Sequence, residues 1–137
     1  MQVLSYLTFE GRCEEALAFY RKAIGAEIDM MMRFKDAPET PSEGCVTPGS
    51  DDKIMHASFH VGETMVMATD GRCSGTPTFH GFSLSITAAD EAEATRLFNG
   101  LADGGQVQMP LGQTFFSPCF GVVADRFGVS WMIIVEP

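Results

Sequence analysis

A single shift of 79 residues lays the first half of the chain on the second: Glu14 falls on Glu93, Phe19 on Phe98, Gly25 on Gly104 and Met30 on Met109. Both halves also share one order of elements, a strand, a helix and three further strands, which makes duplication the better account. In the first half VLSYLTF (3–9) is an apolar β-rich run. The stretch EEALAFYRKAIG then sets Ala16, Leu17, Tyr20, Ala23 and Ile24 on one helical face, with Gly25 as the stop. AEIDMMMRF, IMHASFHV and ETMVMATD follow as strands, the last two joined by a tight turn at Gly62 and Glu63. In the second half HGFSLSIT precedes a helix that Asp90 and Glu93 open with capping-box spacing. Ala94, Leu97, Phe98 and Leu101 carry its apolar stripe, and Gly104–Gly105 end it. QVQMPL, TFFSPCFGVVAD and VSWMIIVE complete the module.

A helix covers only one face of each small sheet, so the other must meet the second module, a second chain or a ligand. The expected fold class is α+β, with two tandem β-α-β-β-β modules forming a cupped mixed sheet. One domain over 1–137 is expected, with modules at about 1–70 and 78–137 and a lid-length loop at about 36–52. A net charge of −9 repels phosphate, which argues against nucleic acid or an anionic membrane as partner. No apolar run is long enough for a membrane span, and MQVLSYLTFEGR lacks the pattern of an export signal, so a cytoplasmic location is expected. Cys13, Cys45, Cys73 and Cys119 are scattered, without C-x-x-C spacing and apart from His56, His60 and His80. Reduced thiols are therefore expected rather than disulfides or a structural zinc site. Cys45 has no nearby cation in sequence to activate it.

The paired modules, together with YLTFEGRCEEALAFY, IMHASFHVGETMVMATD and TFF…FGVVADRFGVSWMI, resemble the PhnB-like branch of the vicinal-oxygen-chelate superfamily. That superfamily includes glyoxalase I, bleomycin-resistance proteins and extradiol dioxygenases, and the branch is also labelled 3-demethylubiquinone 3-methyltransferase-like. The resemblance implies a homodimer. It also implies four strand positions that hold a divalent ion in the metal enzymes, typically through two His and two Glu. Carried onto this chain, those positions are Ser5, Met67, Phe82 and Met132. Thioethers, a benzyl ring and one hydroxyl do not suit a hard or borderline cation, so neither a metal nor another cofactor is expected. The methyltransferase label is taken as a family name only, since no glycine-rich turn follows a strand and opens a helix. Where the PhnB-like pattern has Gln-Glu before Thr-Phe and a Trp after, this chain has Gly112, Gln113 and Phe116. Gln113 can orient a ligand but carries no proton at neutral pH.

Alternation along IMHASFHV puts Ile54, His56, Ser58 and His60 on one face, and Met55, Ala57, Phe59 and Val61 under the helix. His56 is the candidate general acid/base, because imidazole titrates near neutrality. His60 is expected toward solvent near the strand end, and His80 at the rim of the cup. Thr114, Phe115, Phe116 and Phe120 can form an aromatic wall, and Met30 to Met32, Met65 and Met67 an adaptable apolar lining. The candidate ligand-binding residues are Ser5, Ser58, Met67, Phe82, Gln113, Phe115, Phe116 and Trp131. These expectations describe a metal-independent protein that binds an apolar or aromatic small molecule. One alternative is a lyase- or isomerase-type enzyme with His56 as acid/base and Gln113 or Ser58 orienting the substrate. The other is a divalent-metal-dependent glyoxalase- or dioxygenase-like enzyme. The ligand's identity stays open, as does whether any reaction occurs.

Overall fold

Strand alternation and two amphipathic helices build the same unit twice. The computed structural model describes residues 1–37 and 49–137. It divides into Met1–Pro77 and Thr78–Pro137. The first unit runs β1 (Tyr6–Thr8), α1 (Cys13–Ile24), β2 (Glu27–Arg33), a single 3-10 turn (Phe34–Asp36), β3 (Ile54–Val61) and β4 (Thr64–Thr69). The second runs β5 (Leu84–Ala88), α2 (Glu91–Ala102), β6 (Gln106–Gly112), β7 (Cys119–Ala124) and β8 (Ser130–Val135). The loop expected over 36–52 falls largely outside the described residues, and Cys45 lies wholly outside them.

Both sheets are mixed and share one topology, β1-β4-β3-β2 and β5-β8-β7-β6. β1 is parallel to β4 and β5 to β8, and the remaining pairs are antiparallel. The 79-residue shift holds through the first three elements, since β2 at Glu27–Arg33 maps onto β6 at Gln106–Gly112. Gly25 and Gly104 serve the same purpose in both repeats. Each leaves its helix at positive φ, 70° and 78°, a conformation that a Cβ resists.

In the first unit α1 packs on β2 and β3 with Ala16, Leu17 and Tyr20 buried. The Tyr20 ring stacks on Phe59 at 5.9 Å and meets Phe9 at 6.1 Å. Rings buried this fully stabilise the fold by roughly 2–3 kcal/mol each. In the second unit Leu97, Phe98 and Leu101 of α2 close over Val123 and Ile133.

Three local expectations change. The first strand is only Tyr6–Thr8, and β7 starts at Cys119 rather than Thr114. Thr114 caps its own turn instead, its Oγ1 accepting from the Phe116 and Ser117 amides at 3.3 and 3.0 Å. Ile54 does not share the face of His56. A register shift between Met32 and Arg33 inserts a bulge at the start of β3, so Ile54 is fully buried while Met55 is half-exposed.

Candidate functional site

Side chains paired across neighbouring strands share a face, so the register itself assembles the site. Tyr6 of β1 lies opposite Met67 of β4, Met67 opposite Ser58 of β3, and Ser58 opposite Met30 of β2. The row Tyr6–Met67–Ser58–Met30 therefore crosses all four strands on the face that α1 leaves uncovered. The intervening Leu7, Ala57, Phe59, Val66 and Ala68 are buried on the other face. His56, two residues before Ser58 and opposite Met32, belongs to the same open face.

The Tyr6 hydroxyl meets His56 Nδ1 at 2.8 Å, with the two rings 5.6 Å apart and tilted. Desolvation by partial burial is the main cause that raises the Tyr6 phenol above its ordinary value, so the hydroxyl keeps its proton at neutral pH. Farther along the face, His60 sits between two acids. Its Nδ1 is 2.8 and 2.9 Å from the Asp29 carboxylate and its Nε2 is 3.1 Å from Glu27. The Asp29 hydrogen bond, reinforced by the Asp29 and Glu27 charges, raises the His60 pKa.

The second unit repeats the row with different chemistry. Ser85 lies opposite Met132, Met132 opposite Val122, and Val122 opposite Met109. Methionine recurs at two of the four places, while Ser85 replaces Tyr6 and Val122 replaces Ser58, and no histidine joins them.

The register refines the sequence-based assignments. Ser5 precedes β1 and gives Met67 only a carbonyl acceptor, at 2.9 Å. Tyr6, which the sequence did not single out, is the β1 residue beside Met67. Phe82 lies ahead of β5, 45% exposed and edge-on to Phe79. Trp131 and Met132 are adjacent on β8, so only one of them can face outward. Trp131 is the buried one, its Nε1 donating to Asp125 Oδ2 at 2.9 Å, which removes it from the open face. Gln113 is exposed in the second unit, beside a cleft of about 490 Å³ against Glu91, Thr95 and Asn99 of α2. Phe115 is fully exposed and stacks edge-on with Phe116, which meets Phe120 in the same way at 5.0 Å. His80 is exposed.

Two buried carboxylates, Asp70 and Asp125, lie outside the candidate set. Asp70 Oδ1 accepts from the Gly11 and Cys13 amides at 2.9 and 2.7 Å, and Oδ2 from Ile54 at 2.7 Å. Asp125 Oδ1 accepts from the Phe127 and Val129 amides at 2.8 and 3.1 Å. The available signal was an Asp closing an apolar strand just before a glycine turn, at ATDG and VADRFG.

Metal chemistry fits this arrangement poorly. The row of the first unit brings no carboxylate and has one imidazole, His56, beside it, and in the second unit Ser85, Met132, Val122 and Met109 bring neither group. Among the described residues no three His, Cys, Asp or Glu side chains are grouped to hold an ion. Burial raises the thiols of Cys13, Cys73 and Cys119, which lowers their reactivity as nucleophiles. A second cleft of about 310 Å³ near the start of α1 holds cations that are already paired. Arg33 binds Glu14 at 2.7 Å, and Lys53 donates to the Gly11 carbonyl at 2.9 Å.

Residues 1–134 match the family described as 3-demethylubiquinone-9 3-methyltransferase. The crystal structure of PA1353 from Pseudomonas aeruginosa is 42% identical with a TM-score of 0.82, covering 99% of this chain and 98% of that one. A Bacillus cereus structure described as a putative 3-demethylubiquinone-9 3-methyltransferase, PhnB protein, is 31% identical with a TM-score of 0.74. It covers 99% of this chain and 100% of its own. The fold alone is shared with a glyoxalase-related enzyme from Fulvimarina pelagi, at 19% identity and a TM-score of 0.63 over 100% of this chain and 89% of that one. Among the described residues no helix is long and apolar enough to cross a membrane.

Proposed function

Because the chain belongs to the 3-demethylubiquinone-9 3-methyltransferase family, in the PhnB-like branch of the vicinal-oxygen-chelate superfamily, we propose that it binds a small apolar or aromatic molecule without a metal. The observation that carries this reading is the Tyr6–Met67–Ser58–Met30 row with His56 beside it, an open face that is apolar in its floor and polar at a few points. Ligand sites have this composition, and thioethers adapt to varied ligand shapes. The family description names a methyl transfer, but neither sheet is the parallel, doubly wound kind with a glycine-rich turn that holds S-adenosylmethionine. We take the protein to be a single cytoplasmic domain acting as a homodimer. Cys13, Cys73 and Cys119 are free, as a reducing compartment keeps them, and light scattering at micromolar concentration tests the dimer.

A panel of aromatic compounds tested by thermal shift should include one that stabilises the protein, by about 2.7 kcal/mol at a hundredfold excess over its Kd. Met67→Asp should abolish the shift while the far-ultraviolet circular dichroism stays unchanged. A panel without a binder, or a binder indifferent to Met67→Asp, overturns the reading. Metal independence predicts less than a tenth of an ion per chain after dialysis against chelator (roughly the background of such an assay), with ligand binding intact. A second reading, an isomerase or lyase, draws on the Tyr6–His56 contact, since an oriented imidazole can move a proton. It requires turnover that His56→Ala removes.

A further inference from the structure

We infer that the ligand of the first unit's open face carries a carbonyl or carboxylate oxygen that docks on His56 Nε2, and that Tyr6 sets this preference by holding Nδ1. The inference rests on the reading of that face as a binding site and names its ligand class.

His56 Nδ1 lies 2.8 Å from the Tyr6 hydroxyl, and among the described residues nothing bonds its Nε2. A phenol is a strong hydrogen-bond donor and a weak acceptor, whereas a neutral imidazole nitrogen is a good acceptor. The Thr69 hydroxyl also engages the Tyr6 phenol, but its own hydrogen goes to the Met55 carbonyl at 2.7 Å. We assign the Tyr6 O–H to Nδ1, the stronger acceptor of the two, which places the ring proton of neutral His56 on Nε2. If His56 takes up a second proton, the Tyr6 oxygen accepts from Nδ1–H and Nε2 still bears a hydrogen. In both states the free corner of the ring is a donor, so its complement is an acceptor. Ser58, two residues along the same face and without a partner among the described residues, adds a second hydroxyl beside it. Met67 and Met30 flank Ser58 as the apolar floor. A ligand with an apolar body and one oxygen acceptor matches this layout. The second unit, with Ser85 and Val122 at the matching places and no imidazole, offers no such corner.

Two measurements test the inference. Histidine-ring 15N spectra of the free protein should show Nδ1 unprotonated and Nε2 protonated for His56, and Tyr6→Phe should give a mixture of tautomers. A dominant Nδ1–H form in the unaltered protein overturns the inference. Binding is then compared for 2-acetonaphthone and 2-methylnaphthalene, which differ in the carbonyl. The ketone should bind about tenfold tighter, the difference that one net hydrogen bond makes. Tyr6→Phe should narrow that ratio, and His56→Phe should bring it to about one while hydrocarbon binding survives. If the hydrocarbon binds as tightly as the ketone, or both variants keep the ratio, the inference fails and the binding reading stands. If neither probe binds, the inference fails, and the aromatic panel alone decides the binding reading.

Discussion

His60 shows what three side chains decide for themselves once the sheet has brought them together. Asp29 and Glu27 both contact its ring, and the Asp29 hydrogen bond leads in raising its pKa above the ordinary 6.5. The folded state therefore binds the imidazolium proton more tightly than the unfolded chain does. The resulting stability is fully present below the unfolded pKa and is lost as pH rises through the folded value. The difference in urea midpoint between the unaltered protein and His60→Gln should accordingly be largest below pH 6.5 and fade as pH rises. Asp29→Asn should remove most of that pH dependence. A difference that grows with pH would contradict the assignment. Sequence alternation placed His60 on the face of His56, as the register has it, but the two carboxylates were hidden from it. Asp29 sits at a bulge between Ile28 and Met30, where simple alternation fails.

At the scale of elements, two contacts join strand to helix. Asp70, at the end of β4, takes amides from the turn before α1, from its first residue Cys13, and from the start of β3. It thereby replaces the side-chain cap that Arg12 does not supply. Asp70→Ala leaves three amides without their acceptor and should cost on the order of 3 kcal/mol in denaturant unfolding. Asp70→Asn should cost less, because one amide bond at most must face a like donor. In the second unit Gly121 sits under α2. A Cβ there would stand 2.8 Å from Phe98 Cε2 and 3.0 Å from Leu111 Cδ2. Gly121→Ala should destabilise by about 1–3 kcal/mol through overpacking, seen as a lower thermal midpoint with the secondary structure retained. The single tryptophan, Trp131, lies in the same core, so its fluorescence reports the unfolding of the second unit.

Across the whole molecule the charge of −9 governs encounter rather than shape. Mobility-shift titrations with duplex DNA at low salt should show no complex, and a salt-sensitive complex would refute that expectation. The repeat, the helix faces, the glycine stops and the order of strands and helices were legible in the sequence, because 3.6- and 2-residue periodicities are local properties of the chain. The same is true of His56 and Ser58 sharing one face, whereas the place of Met67 there was implied only by the family resemblance. The expected cupped mixed sheet is two four-stranded mixed sheets, one in each unit, a matter of long-range pairing. Tyr6 in place of Ser5, Trp131 turned inward, Ile54 displaced by a bulge and Asp70 as a cap were settled only by tertiary structure. Each depends on register or on partners far along the chain, and a slip of one residue exchanges the two faces of a strand. Local pattern thus determined that there would be an open face. Strand pairing decided which side chains stand on it.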